Sequence, residues 1–188
     1  MMLFKRLLTC DENLVPRYPS LAEEWTVSSD GLTYTFTIRN GVTWHDGEPF
    51  KLDDIKWSIE TALRNPRVKG NFIANFKLIN GGEAYFNGET DDLAGITVQG
   101  NDTIKFELTS TSSTFLLTMA QFPPMPMHLL KDEDPATVHL AEFWQWPIGN
   151  GPFKIAEREP GDYTVFVPFD DYMFGRPKIE RVIARRYD

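Results

Sequence analysis

Residues 32–38 read Leu-Thr-Tyr-Thr-Phe-Thr-Ile, an unbroken alternation of apolar side chains with threonine. Successive side chains of a strand point to opposite faces, so this segment can bury Leu32, Tyr34, Phe36 and Ile38 while its threonines stay on a polar face. That is the pattern of a half-buried antiparallel strand. Trp25-Thr26-Val27 supplies a partner strand. Ser29-Asp30-Gly31 supplies the turn, because Gly accepts positive φ and Asp hydrogen-bonds to its own backbone. Asn40-Gly41 and Asp46-Gly47 mark further turns. A helix is then expected to start near Asp53, with Ile55, Ser58, Ile59, Ala62 and Leu63 on one face. Asp53 and Asp54 fall in its first turn, where the helix dipole favours negative charge, and Pro66 stops it.

The other elements carry weaker signals. Residues 1–9 read as the end of a helix running into a short strand. Pro16, Pro19 and Ser20 mark a loop, and Leu21–Trp25 a brief helical turn. Phe72–Phe86 has helical character interrupted at Gly81-Gly82. Ile96–Gln99 and Ile104–Leu108 form a hairpin around Gly100-Asn101-Asp102, and Thr114–Gln121 is a short apolar helix. Pro123-Pro124-Met125-Pro126 forces an extended path. His128–Lys131 and Ala141–Trp146 read as short helical pieces. Phe153–Arg158, Tyr163–Val167 and Ile179–Arg185 read as strands, the first two joined by Glu159-Pro160-Gly161-Asp162. The fold class expected is mixed α/β (α+β) with a mixed sheet. The ordered core is expected to bury Leu32, Tyr34, Phe36, Ile38, Ile55, Ile59 and Leu63.

A chain of 188 residues suits one domain with a small subdomain, and 41% hydrophobic content is enough for a core. The net charge of −8 disfavours nucleic acid, whose phosphates call for a basic face. No apolar run approaches bilayer length, and no amino-terminal signal peptide is visible. The single cysteine, Cys10, cannot form an internal disulfide. Leu7-Leu8-Thr9-Cys10 has a trace of a lipoprotein cleavage site, but the apolar run that should precede it is missing. A strand residue is the better reading of Cys10.

Chemistry on a bound substrate would need a nucleophile with a base, an acid–base pair or metal ligands. His45, His128 and His139 stand in no zinc-like spacing. His45-Asp46 sits in a turn and reads as structural. The acidic pairs Glu23-Glu24, Asp53-Asp54 and Asp91-Asp92 are adjacent in sequence, so they do not face one another and lack the ligand alternation of a calcium loop. Gly149-Asn150-Gly151 lacks the glycine spacing of a phosphate loop, and Pro152 removes a donor. It reads as a tight crossing into a strand. Phe143, Trp144 and Trp146 read as core packing before they read as a ligand platform. No enzyme activity, cofactor or metal is expected.

Several motifs in a fixed order carry a resemblance. They are Leu21-Ala22-Glu23-Glu24-Trp25, Asp30 to Phe36, Trp44-His45-Asp46-Gly47 and Asp53 to Glu60. They continue with Gly81 to Tyr85, Asp102 to Leu108, Pro147-Ile148-Gly149-Asn150-Gly151-Pro152-Phe153-Lys154, and Tyr172 to Arg181. Together they resemble the bacterial extracellular solute-binding proteins of family 5, the oligopeptide, dipeptide and nickel receptors of ABC importers. The match covers nearly the whole chain. Asn150 stands where the family usually has Thr, Phe153 where it has Tyr, and Lys51 where a Thr caps the next helix.

The resemblance implies part of the first lobe of a two-lobed, type II periplasmic-binding-protein-like receptor. Residues 1–40 and 147–188 would form the core-sheet part and 41–146 a subdomain, with the second lobe absent. Because the family's proteins are considerably longer, it also implies an excised segment. It implies peptide capture without chemistry, permease partners and an extracytoplasmic setting, in the periplasm or as a cell-surface lipoprotein. Ligand contacts are expected at Asn71, Phe72, Gly149, Asn150 and Gly151. Self-association is expected at an apolar surface left open in the segment. A sensory or pheromone receptor on the same scaffold is one alternative, and a secreted carbohydrate-active enzyme another.

Overall fold

The computed structural model describes residues 2–186. They gather into two compact units, one made of Arg6–Asn40 and Lys51–Ala141, the other of Met1–Lys5, Gly41–Phe50 and Glu142–Asp188. Residues 6–40 and 147–188 thus fall in different units.

The larger unit opens with a hairpin of β1 (Leu8–Cys10) and β2 (Pro16–Pro19). Cys10 is a half-buried strand residue, as read from sequence. The expected helix before it is not formed, since residues 2–6 have no helical structure and Met1 lies outside the described residues. The unit's main sheet has the order β3 (Ala22–Val27), β4 (Thr33–Ile38), β6 (Thr103–Glu107), β5 (Ile96–Gln99). In β4 the alternation holds along its length. Tyr34, Phe36 and Ile38 are buried, Thr33, Thr35 and Thr37 are half-buried, and Leu32 stands half-buried just before the strand. Burial of each large apolar side chain is worth about 1.5–3 kcal/mol.

The short helix expected at Leu21–Trp25 is instead the start of β3. Leu, Ala and Glu are good helix formers. Pairing with β4 overrides that preference, with Trp25 opposite Phe36 and a register shift between Ala22 and Glu24. Tyr34 faces Phe106 and Phe36 faces Ile104 across β4 and β6. The rings of Phe36 and Phe106 meet edge-on at 5.7 Å, and Phe115 lies 4.6 Å from Tyr34.

Helix α1 (Leu52–Arg64) packs on α2 (Asn71–Lys77), α3 (Gly82–Asn87), α5 (Met127–Leu130) and β5. Its predicted face, Ile55, Ser58, Ile59, Ala62 and Leu63, is buried. Lys51 gives no side-chain cap, but Asp54 Oδ2 accepts the Lys51 N–H at 2.8 Å, which is half of a capping box. Asp54 Oδ1 accepts the Met127 N–H at 3.0 Å, and Ser58 Oγ accepts the Met125 N–H at 2.7 Å. Two buried helix side chains thereby hold the proline-rich strand of chain after α4 (Phe115–Gln121).

The smaller unit holds an antiparallel sheet, β7 (Phe153–Glu159), β8 (Tyr163–Pro168) and β9 (Val182–Arg185). Ile179, expected in the last strand, precedes it and is 59% exposed. The Ala141–Trp146 piece is a 3-10 turn over Glu142–Gln145. Every strand pairing among the described residues is antiparallel, which corrects the expectation of a mixed sheet.

Candidate ligand-binding elements

The Gly149-Asn150-Gly151 turn is built against the start of the chain. The Gly151 N–H donates to Leu3 O at 2.7 Å, and the Phe153 N–H to Met2 O at 3.1 Å. The Lys5 N–H donates to Asn150 Oδ1 at 2.8 Å. The approach leaves no room for a side chain. A Cβ on Gly149 would stand 1.9 Å from Leu3 O, and one on Gly151 2.2 Å from Met2 O. Neither glycine has positive φ, so space rather than backbone conformation demands glycine here.

His45 clamps the same turn. Its N–H donates to Gly149 O at 2.8 Å. The Gly149 N–H donates back to Nδ1 at 3.1 Å, and Nε2 lies 2.9 Å from Gly151 O. An imidazole nitrogen that accepts carries no proton, so this network assigns the neutral tautomer with hydrogen on Nε2. Burial pushes the His45 pKa down, and Lys154 adds to that, while the bond to Gly151 O and the charge of Asp46 oppose it. Phe169 covers the ring at a centroid distance of 5.0 Å. With both nitrogens committed to backbone, His45 acts as a structural clasp.

Asn150 is 1% exposed, and its Nδ2 has no acceptor among the described residues. Phe143 and Trp144 pack edge to face at 4.9 Å, with Phe4 beyond Trp144 at 6.4 Å, whereas Trp146 is half exposed. Lys5 Nζ lies 5.9 Å from the Tyr172 ring centroid and 5.8 Å from that of Phe174.

Asn71 and Phe72 belong to the other unit, at the start of α2. Asn71 is exposed, and its carbonyl accepts Asn75 Nδ2 at 2.9 Å. Phe72 stacks on Phe76 and meets Phe122 edge-on at 5.5 Å. Asn75 is buried in a polar knot: Nδ2 reaches Thr118 Oγ1 at 2.9 Å, and Ser112 Oγ donates to Oδ1 at 2.6 Å. The structure thus joins Gly149, Asn150 and Gly151 into one element and puts Asn71 and Phe72 on another.

The sequence reading of His45 as structural agrees with this clasp, but it did not show which turn His45 holds, nor the part played by Leu3. The only signal available was the pairing of a glycine-flanked turn with a histidine in a second turn, more than a hundred positions away. Among the described residues no three His, Cys, Asp or Glu side chains gather to hold a metal ion, and no helix is long and apolar enough to cross a membrane.

Comparison with known proteins agrees with this architecture. Residues 17–188 match the family model described as bacterial extracellular solute-binding proteins, family 5 Middle. The dipeptide-binding protein of Escherichia coli is 29% identical, over 96% of this chain and 34% of its own length. The crystal structure of NikZ from Campylobacter jejuni in complex with Ni(L-His) superposes with a TM-score of 0.79 at 30% identity, over 99% of this chain and 34% of that one. The oligopeptide-binding protein AppA from Bacillus subtilis, in complex with a nonapeptide, gives a TM-score of 0.81 at 26% identity, over 98% and 34%. This chain therefore spans about a third of the length of the relatives it matches. The antiparallel sheets, the clasped glycine turn and the family match over residues 17–188 lead to one assignment: the chain belongs to the bacterial extracellular solute-binding proteins of family 5.

Proposed function

We propose that this chain is part of the substrate-capturing receptor of an ABC importer, and that the receptor takes oligopeptides or dipeptides. The observation that carries this reading is the match to peptide-binding relatives along nearly the whole chain, with a TM-score of 0.81 to a protein holding a nonapeptide. The receptor works outside the cytoplasm, captures its solute between two lobes that close about a hinge, and then docks on the permease. It performs no chemistry on the solute. The 188 residues form part of the first lobe; the start of α2 at Asn71 and Phe72 faces the solute, while the Gly149–Gly151 turn, buried against Leu3 and His45, shapes its own unit as scaffold.

In this reading the pocket is divided between this chain and the remaining length of the receptor. A micromolar ligand has about −8 kcal/mol of binding free energy, and losing half of it leaves a dissociation constant near millimolar. Isothermal titration of the 188-residue chain with a mixed dipeptide and oligopeptide pool should give no micromolar binding. The complete receptor, titrated in the same way, should bind. Micromolar binding by the chain alone would overturn the divided pocket. A complete receptor that purifies with no peptide by native mass spectrometry, and binds none on titration, would overturn the peptide reading.

A further inference from the structure

A concavity lies within the larger unit, which does not include the glycine turn. It is a groove of about 590 Å³ between the end of α1, the 65–70 loop, α2 and α3. That volume is within the range of about 300–1,000 Å³ found for small-molecule sites. From the α2 N-cap onward the groove is lined by Gly70, Ile73, Ala74 and Lys77, spaced i, i+3, i+4, i+7. The opposite side of this short helix is already spent on the core through Phe76 and the half-buried Phe72. A helix of seven residues thus has apolar side chains on two faces, and the second carries the half-buried Ile73 and the exposed Ala74.

The remaining walls are Leu63, Pro66, Val68 and Phe86, the last 41% exposed. Every charged side chain lining the groove is a cation: Arg64, Lys69 and Lys77. This is against the balance of a chain with net charge −8. Arg64 pairs with Asp91 at 3.1 Å and Lys77 with Glu83 at 2.8 Å, and these carboxylates are exposed and outside the lining. Lys69 is exposed and makes no ion pair among the described residues. Lys77 Nζ also lies 4.3 Å from the Phe86 ring centroid, which joins the cationic rim to the apolar wall.

We propose that this groove binds a single-chain aliphatic carboxylate, its head on Lys69 and its tail along Val68, Ile73, Ala74 and Phe86. The apolar wall selects the tail, and Lys69, the lining cation with no ion pair among the described residues, selects an anionic head over a neutral or positive one. The groove shares α2 with the importer reading but uses Ile73, Ala74 and Lys77 in place of Asn71 and Phe72, and none of its residues belongs to the Gly149–Gly151 element.

The test uses the isotopically labelled 188-residue chain and two-dimensional amide NMR with hexanoate, octanoate and decanoate. Amides of Gly70, Ile73, Ala74 and Phe86 should shift, while those of Gly149 and Gly151 stay in place. Affinity should rise about two- to fourfold per added methylene in this half-open site. Octanoate should bind about tenfold tighter than octyltrimethylammonium, with the advantage shrinking at high salt. Lys69→Glu should weaken octanoate binding about tenfold. Ala74→Trp should fill the groove and abolish the shifts. Both positions are exposed, so the variants keep the fold. Equal binding of octanoate and octyltrimethylammonium would overturn the proposal, as would shifts spread outside the groove or no shift at saturating decanoate. Shifts in the groove that appear with protein concentration alone would assign it to a second copy instead.

Discussion

The two units are secured by opposite means. In the smaller unit the glycine turn at 149–151 is held by backbone laid against backbone, with Leu3 O where a Cβ of residue 149 would stand. In the larger unit the α1 face and the proline-rich segment are joined by side chains, chiefly Asp54 and Ser58 reaching the amides of Met127 and Met125. A backbone crossing has no adjustable part, so a single methyl group must displace the chain. A side-chain bolt loses its bonds one at a time.

The largest effect is therefore expected at the crossing. Gly149→Ala or Gly151→Ala should destabilise the smaller unit by about 3 kcal/mol, the upper end for an overpacked site. Hydrogen exchange should show residues 2–5 and 43–50 losing protection while α1 keeps its own. An unchanged melting temperature would mean that the close approach to Leu3 is absent in solution.

A graded loss is expected at the bolt. Asp54→Ala removes the acceptor for two backbone N–H groups, those of Lys51 and Met127. Bonds to a charged group are worth about 1.5–3 kcal/mol, and a cost of about 2 kcal/mol is expected. Asp54→Asn keeps one carbonyl oxygen and should cost less. If both variants cost the same in chemical denaturation, charge rather than the two bonds holds the segment.

His45 separates the units by pH. Its charged form is disfavoured in the folded state, so its folded pKa lies below 6.5. The unfolded chain then binds the proton first as pH falls, and the folded state is penalised. Stability from this clasp is complete above pH 6.5 and is lost as pH drops from 6.5 towards the folded pKa. Protonation also sets an Nδ1–H against the Gly149 N–H. Amides of the glycine turn should exchange faster in that window, and His45→Gln should flatten the dependence. Equal pH sensitivity in wild type and variant would remove His45 as its source. The groups facing it, Asp46 and Lys154, would then need separate substitution.

Much of the larger unit was legible in the sequence because its signals are local. The threonine alternation fixed the register of β4, and the 3.6-residue spacing fixed the buried face of α1. Leu21–Trp25 misled for the converse reason: its composition favours helix, and only pairing with a strand more than ten residues away makes it β3. The candidate site was legible as a turn needing glycine. What presses on those glycines was hidden, because Leu3 and His45 lie more than a hundred positions away and carry no periodic signal.

The smallest effect expected has the opposite sign and tests the cap that sequence alone flagged. Lys51 has φ −118° and ψ 155°, the extended geometry of an N-cap residue, and Asp54 already returns its half of the capping box. A threonine at this position could accept the Asp54 N–H through Oγ1, a bond that lysine cannot make. Lys51→Thr should therefore stabilise the larger unit by about 0.5–1 kcal/mol. The gain should vanish in an Asp54→Ala background, where the reciprocal bond is gone and the helix start is free to fray. A double-mutant cycle by chemical denaturation measures that coupling. A gain that persists undiminished without Asp54 would mean that the threonine acts by relieving the lysine side chain, and that the helix start is not organised as a box.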